Sequence, residues 1–234
     1  MHDTNGPGIR ELCPGLMAGC IWQLKELLSR KPHALAVLDA LPPRVWKEGY
    51  RGQILYYPME PYGVLPTAML ERLTQEIVSL VKTGQQVVLF SREDCGRISY
   101  VAACVLFELG VQEPVAFLKK NYSTAVPEAR SQAFAIQTYC LRHGAKTGGH
   151  PAQMTQHVQI RDLDAFQADP DVIDAFWQIH DSLGDKARFL LRPSGMLPSV
   201  RVMVEAPSEQ LCVACLDLFM GVLQEKGHFV QLLD

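Results

Sequence analysis

Gln86-Val87-Val88-Leu89-Phe90-Ser91-Arg92-Glu93-Asp94-Cys95-Gly96-Arg97-Ile98-Ser99 runs directly into Tyr100-Val101-Ala102-Ala103-Cys104-Val105-Leu106-Phe107-Glu108-Leu109-Gly110. The apolar run from Val87 to Phe90 predicts a buried strand. A tight loop with one glycine follows, and the spacing predicts a helix that starts near Ile98. Gly110 stands where a left-handed residue would close that helix. A strand, a loop and a helix N-terminus in this order aim backbone N–H groups and the positive end of a helix dipole into one small concavity. Phosphate is the usual guest of such a place.

These residues resemble the signature loop of the cysteine-dependent tyrosine and dual-specificity phosphatases. In that family a strand ends in His-Cys, five residues follow, and an Arg closes the loop. The resemblance puts Arg97 at the arginine, Ser91 at the catalytic nucleophile and Phe90 at the histidine. It implies that the backbone of Arg92, Glu93, Asp94, Cys95, Gly96, Arg97 and Ile98 cradles a phosphoryl group, which Arg97 grips through two N–H donors. The family's cysteine attacks phosphorus as a thiolate, whereas a serine hydroxyl with no adjacent base stays protonated at neutral pH. The expectation is therefore a pocket without turnover. Ser91 has two readings. It is either the mark of a degenerate, inactive phosphatase or a Cys-to-Ser trapping change in an active one. Glu93 and Asp94 favour the first, because the family prefers Gly or Ala there and two carboxylates oppose phosphate. Cys95 lies two positions before Arg97, away from the expected pocket floor.

A second informative place is Pro58-Met59-Glu60-Pro61-Tyr62-Gly63-Val64-Leu65-Pro66. The resembled family carries a general-acid Asp in a loop at about this distance before the signature. Here Glu60 is the nearest carboxylate, with Pro61 at the Asp position, so Glu60 is the general-acid candidate. Around these motifs, Leu12 to Gly19, Ala34 to Ala40 and Gln53 to Pro58 read as strands. Met69 to Val81, Pro114 to Lys120 and Pro127 to Arg142 read as helices. This order over residues 8 to 142 resembles a dual-specificity phosphatase domain: an α/β fold with a central sheet flanked by helices.

The run His143-Gly144-Ala145-Lys146-Thr147-Gly148-Gly149-His150 has no apolar period and reads as part of a linker over residues 143–156. Beyond it, His157 to Ile160 is strand-like and Asp169-Pro170 opens a helix. Arg188 to Glu205 then reads as strand, Gly loop and alternating strand, followed by an amphipathic helix from Ser208 to Lys226. Arg192-Pro193-Ser194-Gly195-Met196-Leu197-Pro198, with Arg201-Val202-Met203-Val204-Glu205 after it, resembles the C-terminal domain of the phosphohexomutases, most closely the bacterial phosphoglucosamine mutases. The resemblance implies a small α+β domain whose Arg192, Ser194 and Gly195 hold the phosphate of a sugar phosphate. Met196 and Leu197 replace the family's Thr and Glu, which removes one hydroxyl donor. The mutases' phosphoserine and magnesium loops have no counterpart here, so a complete mutase is not expected. Cys212 and Cys215 have redox spacing but fall on the apolar side of a helix, where they read as small core residues.

Composition narrows the function. The 234 residues carry 48% hydrophobic and 20% charged side chains, as an ordinary globular chain does. A formal net charge of −3 gives no reason to expect nucleic acid or an anionic membrane. Seven scattered cysteines suit a reducing compartment better than a disulfide framework. Met1 to Gly8 lacks the basic and apolar parts of a signal peptide, so a cytoplasmic location is expected. No metal cluster and no cofactor are expected. The domain reading is phosphatase-like over 1–142, linker over 143–156 and mutase-like over 157–234. The functional expectation is an inactive phosphatase-like protein that binds a phosphorylated ligand or a partner protein, a phosphohexomutase among the possible partners. The alternative is the active phosphatase with Ser91 as a trapping change.

Overall fold

The computed structural model describes residues 9–20, 23–39, 50–92, 95–144, 152–183, 187–194 and 198–233. The chain forms two compact units, Met1–Ile136 and Gln137–Asp234.

The first unit is built on a sheet of β1 (Arg10–Cys13), β2 (Leu16–Cys20), β3 (Ala34–Val37), β4 (Gln53–Tyr56) and β5 (Val87–Ser91), in the order β1-β2-β5-β3-β4. The last four strands in that order run parallel, and β1 returns antiparallel against β2. A central parallel strand is covered on both faces and must be apolar throughout. Val87, Val88, Leu89 and Phe90 are accordingly fully buried. The helices are α1 (Leu24–Ser29), α2 (Thr67–Lys82), α3 (Cys95–Glu108), α4 (Pro114–Asn121) and α5 (Arg130–Gly144). Every residue of α3 from Gly96 to Leu106 is buried, as expected of a helix that is apolar nearly all round.

Two boundaries differ from the sequence expectation. The single piece read over Leu12 to Gly19 is a hairpin, turned by Gly15 at φ +86°, where a side chain would also meet the Gln85 carbonyl at 3.2 Å. More important, α3 starts at Cys95 rather than near Ile98. Gly96 and Arg97 are therefore in its first turn, and the connection from β5 is short. The far end is as read. Gly110 at φ +97° donates to the Phe107 carbonyl at 2.9 Å and Val111 donates to that of Leu106 at 2.9 Å, which is the paired closure a left-handed glycine allows.

The second unit has the antiparallel sheet β7-β8-β6-β9, made of β6 (Ala152–Ile160), β7 (Arg188–Pro193), β8 (Ser199–Ala206) and β9 (Phe229–Leu233). Its helices are α6 (Leu163–Ala168), α7 (Pro170–Leu183) and α8 (Glu209–Glu225). Along β8, Val200, Val202, Val204 and Ala206 face inward while Arg201 is exposed. Ser208 caps α8 by accepting from the Leu211 N–H. Of the residues read as a linker, 143–144 end α5 and 152–156 are strand, while 145–151 lie outside the described residues. The first unit's boundary at Ile136 also falls inside α5. Cys212 and Cys215 are buried on α8; burial pushes both thiols up, that of Cys215 to about 12, so both stay protonated core groups.

Candidate functional site

In-register parallel pairing brings the carboxyl ends of three strands together. Cys20 lies opposite Ser91 on one side, and Val37 opposite Phe90 on the other. The Leu38 N–H donates to the Phe90 carbonyl at 2.9 Å, so Leu38 continues the register beside Ser91 and Asp39 falls beside Arg92. Open α/β sheets bind ligands at this end of their strands.

Ser91 closes β5 with 0% exposure, and its Oγ has no hydrogen-bond partner among the described residues. Arg97, in the first turn of α3, is 5% exposed. Its Nη1 donates to the Met59 carbonyl at 3.0 Å and lies 3.4 Å from Asp39 Oδ1. The other oxygen of the same carboxylate accepts the Arg92 N–H at 3.1 Å. One carboxylate thus bridges the first N–H of the loop and the guanidinium at its end. Gly96 is tightly enclosed: a Cβ there would lie 2.6 Å from Glu128 Oε2 and 3.0 Å from Gln132 Oε1. Gln132 is fully buried, donates to the Gly63 carbonyl at 3.3 Å, and leaves Oε1 without a partner among the described residues. Ile98 is buried beneath the turn. Cys95 is half-buried beside Tyr122. Burial, aided by the neighbouring Cys95 and Cys20, pushes the Tyr122 hydroxyl far above its ordinary range.

The structure therefore gathers Ser91, Arg92, Gly96, Arg97 and Ile98 at one strand end. Glu93 and Asp94 lie outside the described residues. Glu60 is exposed; the neighbouring Met59 carbonyl is what meets Arg97, and the Glu60 carbonyl closes a turn by accepting the Gly63 N–H at 3.0 Å. Asp39 and Gln132 are additions that the sequence reading did not make. For Asp39 the available signal was its place just past an apolar strand, at the same end as Ser91. Gln132 carried none.

The second loop differs in character. Arg192 is exposed near the end of β7, directly across from Arg201 on β8, which in turn lies across from His157 on β6. The Ser194 N–H donates to the Ser199 carbonyl at 2.9 Å, the Ser199 hydroxyl returns a hydrogen bond to the Ser194 carbonyl, and His157 Nε2 is 3.3 Å from that hydroxyl. Gly195 lies outside the described residues. Among the described residues no group of three or more His, Cys, Asp or Glu converges as a metal site would require. No described helix is long and apolar enough to cross a membrane.

The fold of the first unit is phosphatase-like. The active form of Tk-PTP superposes with a TM-score of 0.51 at 18% identity, covering 58% of this chain and 98% of that one. A mutant form of Tk-PTP gives 0.52 at 16% identity, covering 60% and 99%. At these identities the likeness is one of fold. The second unit carries a more specific likeness: residues 157–219 match the family "Phosphoglucomutase/phosphomannomutase, C-terminal domain". The phosphoglucosamine mutase of Lachnoclostridium phytofermentans is 38% identical over 76 residues, which are 32% of this chain and 17% of that protein. That of Corynebacterium diphtheriae is 45% identical over 58 residues, 25% of this chain and 13% of that protein. The chain thus joins a unit of phosphatase-like fold to one that is similar to the C-terminal domain of phosphoglucosamine mutases, and spans only a small part of the length of these curated relatives.

Proposed function

We propose that this chain is a non-hydrolysing phosphatase-like protein that binds a phosphorylated ligand or partner at the end of β5, coupled to a mutase-type module. The observation that carries the reading is the occurrence of Arg97 and Ser91 at the same strand end. The arginine is held over the strand end, while the residue at the nucleophile position is a buried hydroxyl without a base to ionise it among the described residues. An alcohol in this setting offers a phosphoryl group one hydrogen bond and no attack. The Arg92 N–H and the N-terminal turn of α3 supply the anion-binding donors. Arg192 and Ser194 serve as a second, weaker phosphate site, deprived of the hydroxyl that Met196 replaces.

Calorimetric titration with inorganic phosphate tests the reading. Arg97→Ala is expected to weaken binding by about tenfold or more, since a charge-assisted pair of hydrogen bonds is lost, and to do so more than Arg192→Ala. Loss confined to Arg192→Ala, or no saturable binding at all, would overturn it.

A further inference from the structure

Two of the donors that a phosphoryl group would use at the first loop already face an acceptor. The Arg92 N–H reaches Asp39 Oδ2 at 3.1 Å, and Arg97 Nη1 lies 3.4 Å from Asp39 Oδ1. Both side chains are shielded from water, with 6% of Arg97 and 13% of Asp39 exposed. The carboxylate is not placed by chance. The bond from the Leu38 N–H to the Phe90 carbonyl extends the β3–β5 ladder one residue past β3, and a side chain with only two rotatable bonds then has little choice of direction.

We propose that Asp39 is the residue that sets the anion selectivity of this cradle: a resident carboxylate that a phosphoryl group has to displace from Arg92 and Arg97. This rests on reading the loop as a phosphate site. With Asp39 in place, the guanidinium charge is balanced from within the chain. An incoming phosphate dianion meets a like charge within a few ångströms, in surroundings that screen it poorly. The ligands favoured by the intact site are those with enough further contacts to offset that repulsion, so free phosphate binds weakly and a phosphorylated group on a larger partner binds better. Replacing Asp39 by Asn keeps a side-chain acceptor for the Arg92 N–H and removes the charge, together with the second acceptor that faces Arg97.

The test is a titration of the full chain with inorganic phosphate, followed by backbone amide NMR, for wild type, Asp39→Asn and Asp39→Asn with Arg97→Ala. Expected are about tenfold or greater tightening in Asp39→Asn, loss of that gain when Arg97 is also replaced, and a shift of the Arg92 amide at saturation in the wild type. Equal affinity in wild type and Asp39→Asn, both dependent on Arg97, would overturn the role of Asp39 and leave the phosphate site standing. Weaker binding in Asp39→Asn would make Asp39 a brace for the loop and overturn the proposal. Binding in neither protein would overturn the proposal and the phosphate site together. If Asp39→Asn does not fold, Asp39→Ser is held to the same outcomes, and an Arg92 amide unmoved in phosphate-saturated wild type overturns the proposal without any variant.

Discussion

Arg97 and Arg192 each stand beside a loop proposed to bind phosphate, but their neighbours differ in the sign of their charge. Arg97 is buried against Asp39 and the Met59 carbonyl. Arg192 is exposed and lies opposite another arginine, Arg201. The first cation is neutralised from within and is part of the packing that holds α3 onto the sheet. The second is repelled by its partner across the strands, and an arriving anion would relieve that repulsion. An arginine in a suggestive loop is therefore not one kind of object; burial and the nearest charge decide whether it acts first as structure or as a ligand site.

The largest effect that would break this contrast is on stability. Arg97→Ala leaves the Asp39 carboxylate without its guanidinium in a poorly solvated place, and breaking a buried pair from one side costs about 3–5 kcal/mol. Arg192→Ala, at an exposed position, should stay within about half a kcal/mol of wild type. Urea unfolding followed by circular dichroism measures both. Similar values for the two variants would mean that Arg97 is not the structural member of the pair.

A smaller effect sharpens the second half of the contrast. Like charges directly opposite each other in a sheet are destabilising, on the scale of about 0.2–1 kcal/mol. Arg201→Gln should therefore raise the melting temperature of the phosphate-free protein slightly. Added phosphate should raise the melting temperature of wild type more than that of Arg201→Gln, because only wild type has the repulsion to relieve. Equal responses to phosphate would remove the case for an anion between the two arginines.

How much of this could be seen in the sequence follows from the range of the interactions. Val87 to Phe90 and Gly110 announced β5 and the end of α3, because a doubly covered strand and a left-handed cap each leave a local mark. The start of α3 was read late, since Cys95 and Gly96 are weak helix formers, and the neighbours that enclose Gly96, Glu128 and Gln132, come from far along the chain. Asp39 showed only as a carboxylate just past an apolar strand: its meaning depends on β3 lying in register beside β5, some fifty positions later in the chain. β9 was missed because Phe229–Leu233 is a short edge strand whose middle residues are exposed, leaving no clear alternation. In the second unit, Arg192 and Ser194 were found by resemblance, whereas the placing of Arg201 between Arg192 and His157 follows only from the strand register.

The smallest predicted effect concerns pH. Asp169 accepts from His228 Nε2 at 2.8 Å and caps α7 through the Asp171 N–H at 2.9 Å. The hydrogen bond from His228 holds its carboxyl below the ordinary range. A depressed native value means that this contribution is complete above the unfolded carboxylate range, about 3.9, and is lost as pH falls through the native value. Asp169→Ala should flatten the acid limb of the stability profile of the second unit, while Arg97→Ala should leave the shape of that limb unchanged. Thermal melts between neutral and acid pH follow the difference, and an acid limb identical in wild type and Asp169→Ala would exclude the pair as its source.

The central claim is tested most directly by incubating the purified chain with an aryl phosphate, at protein concentrations high enough to see a single turnover, beside Arg97→Ala. The account predicts Arg97-dependent binding of the ester with release of the phenol no faster than in buffer. Phenol release by the wild-type chain that disappears in Arg97→Ala would contradict it.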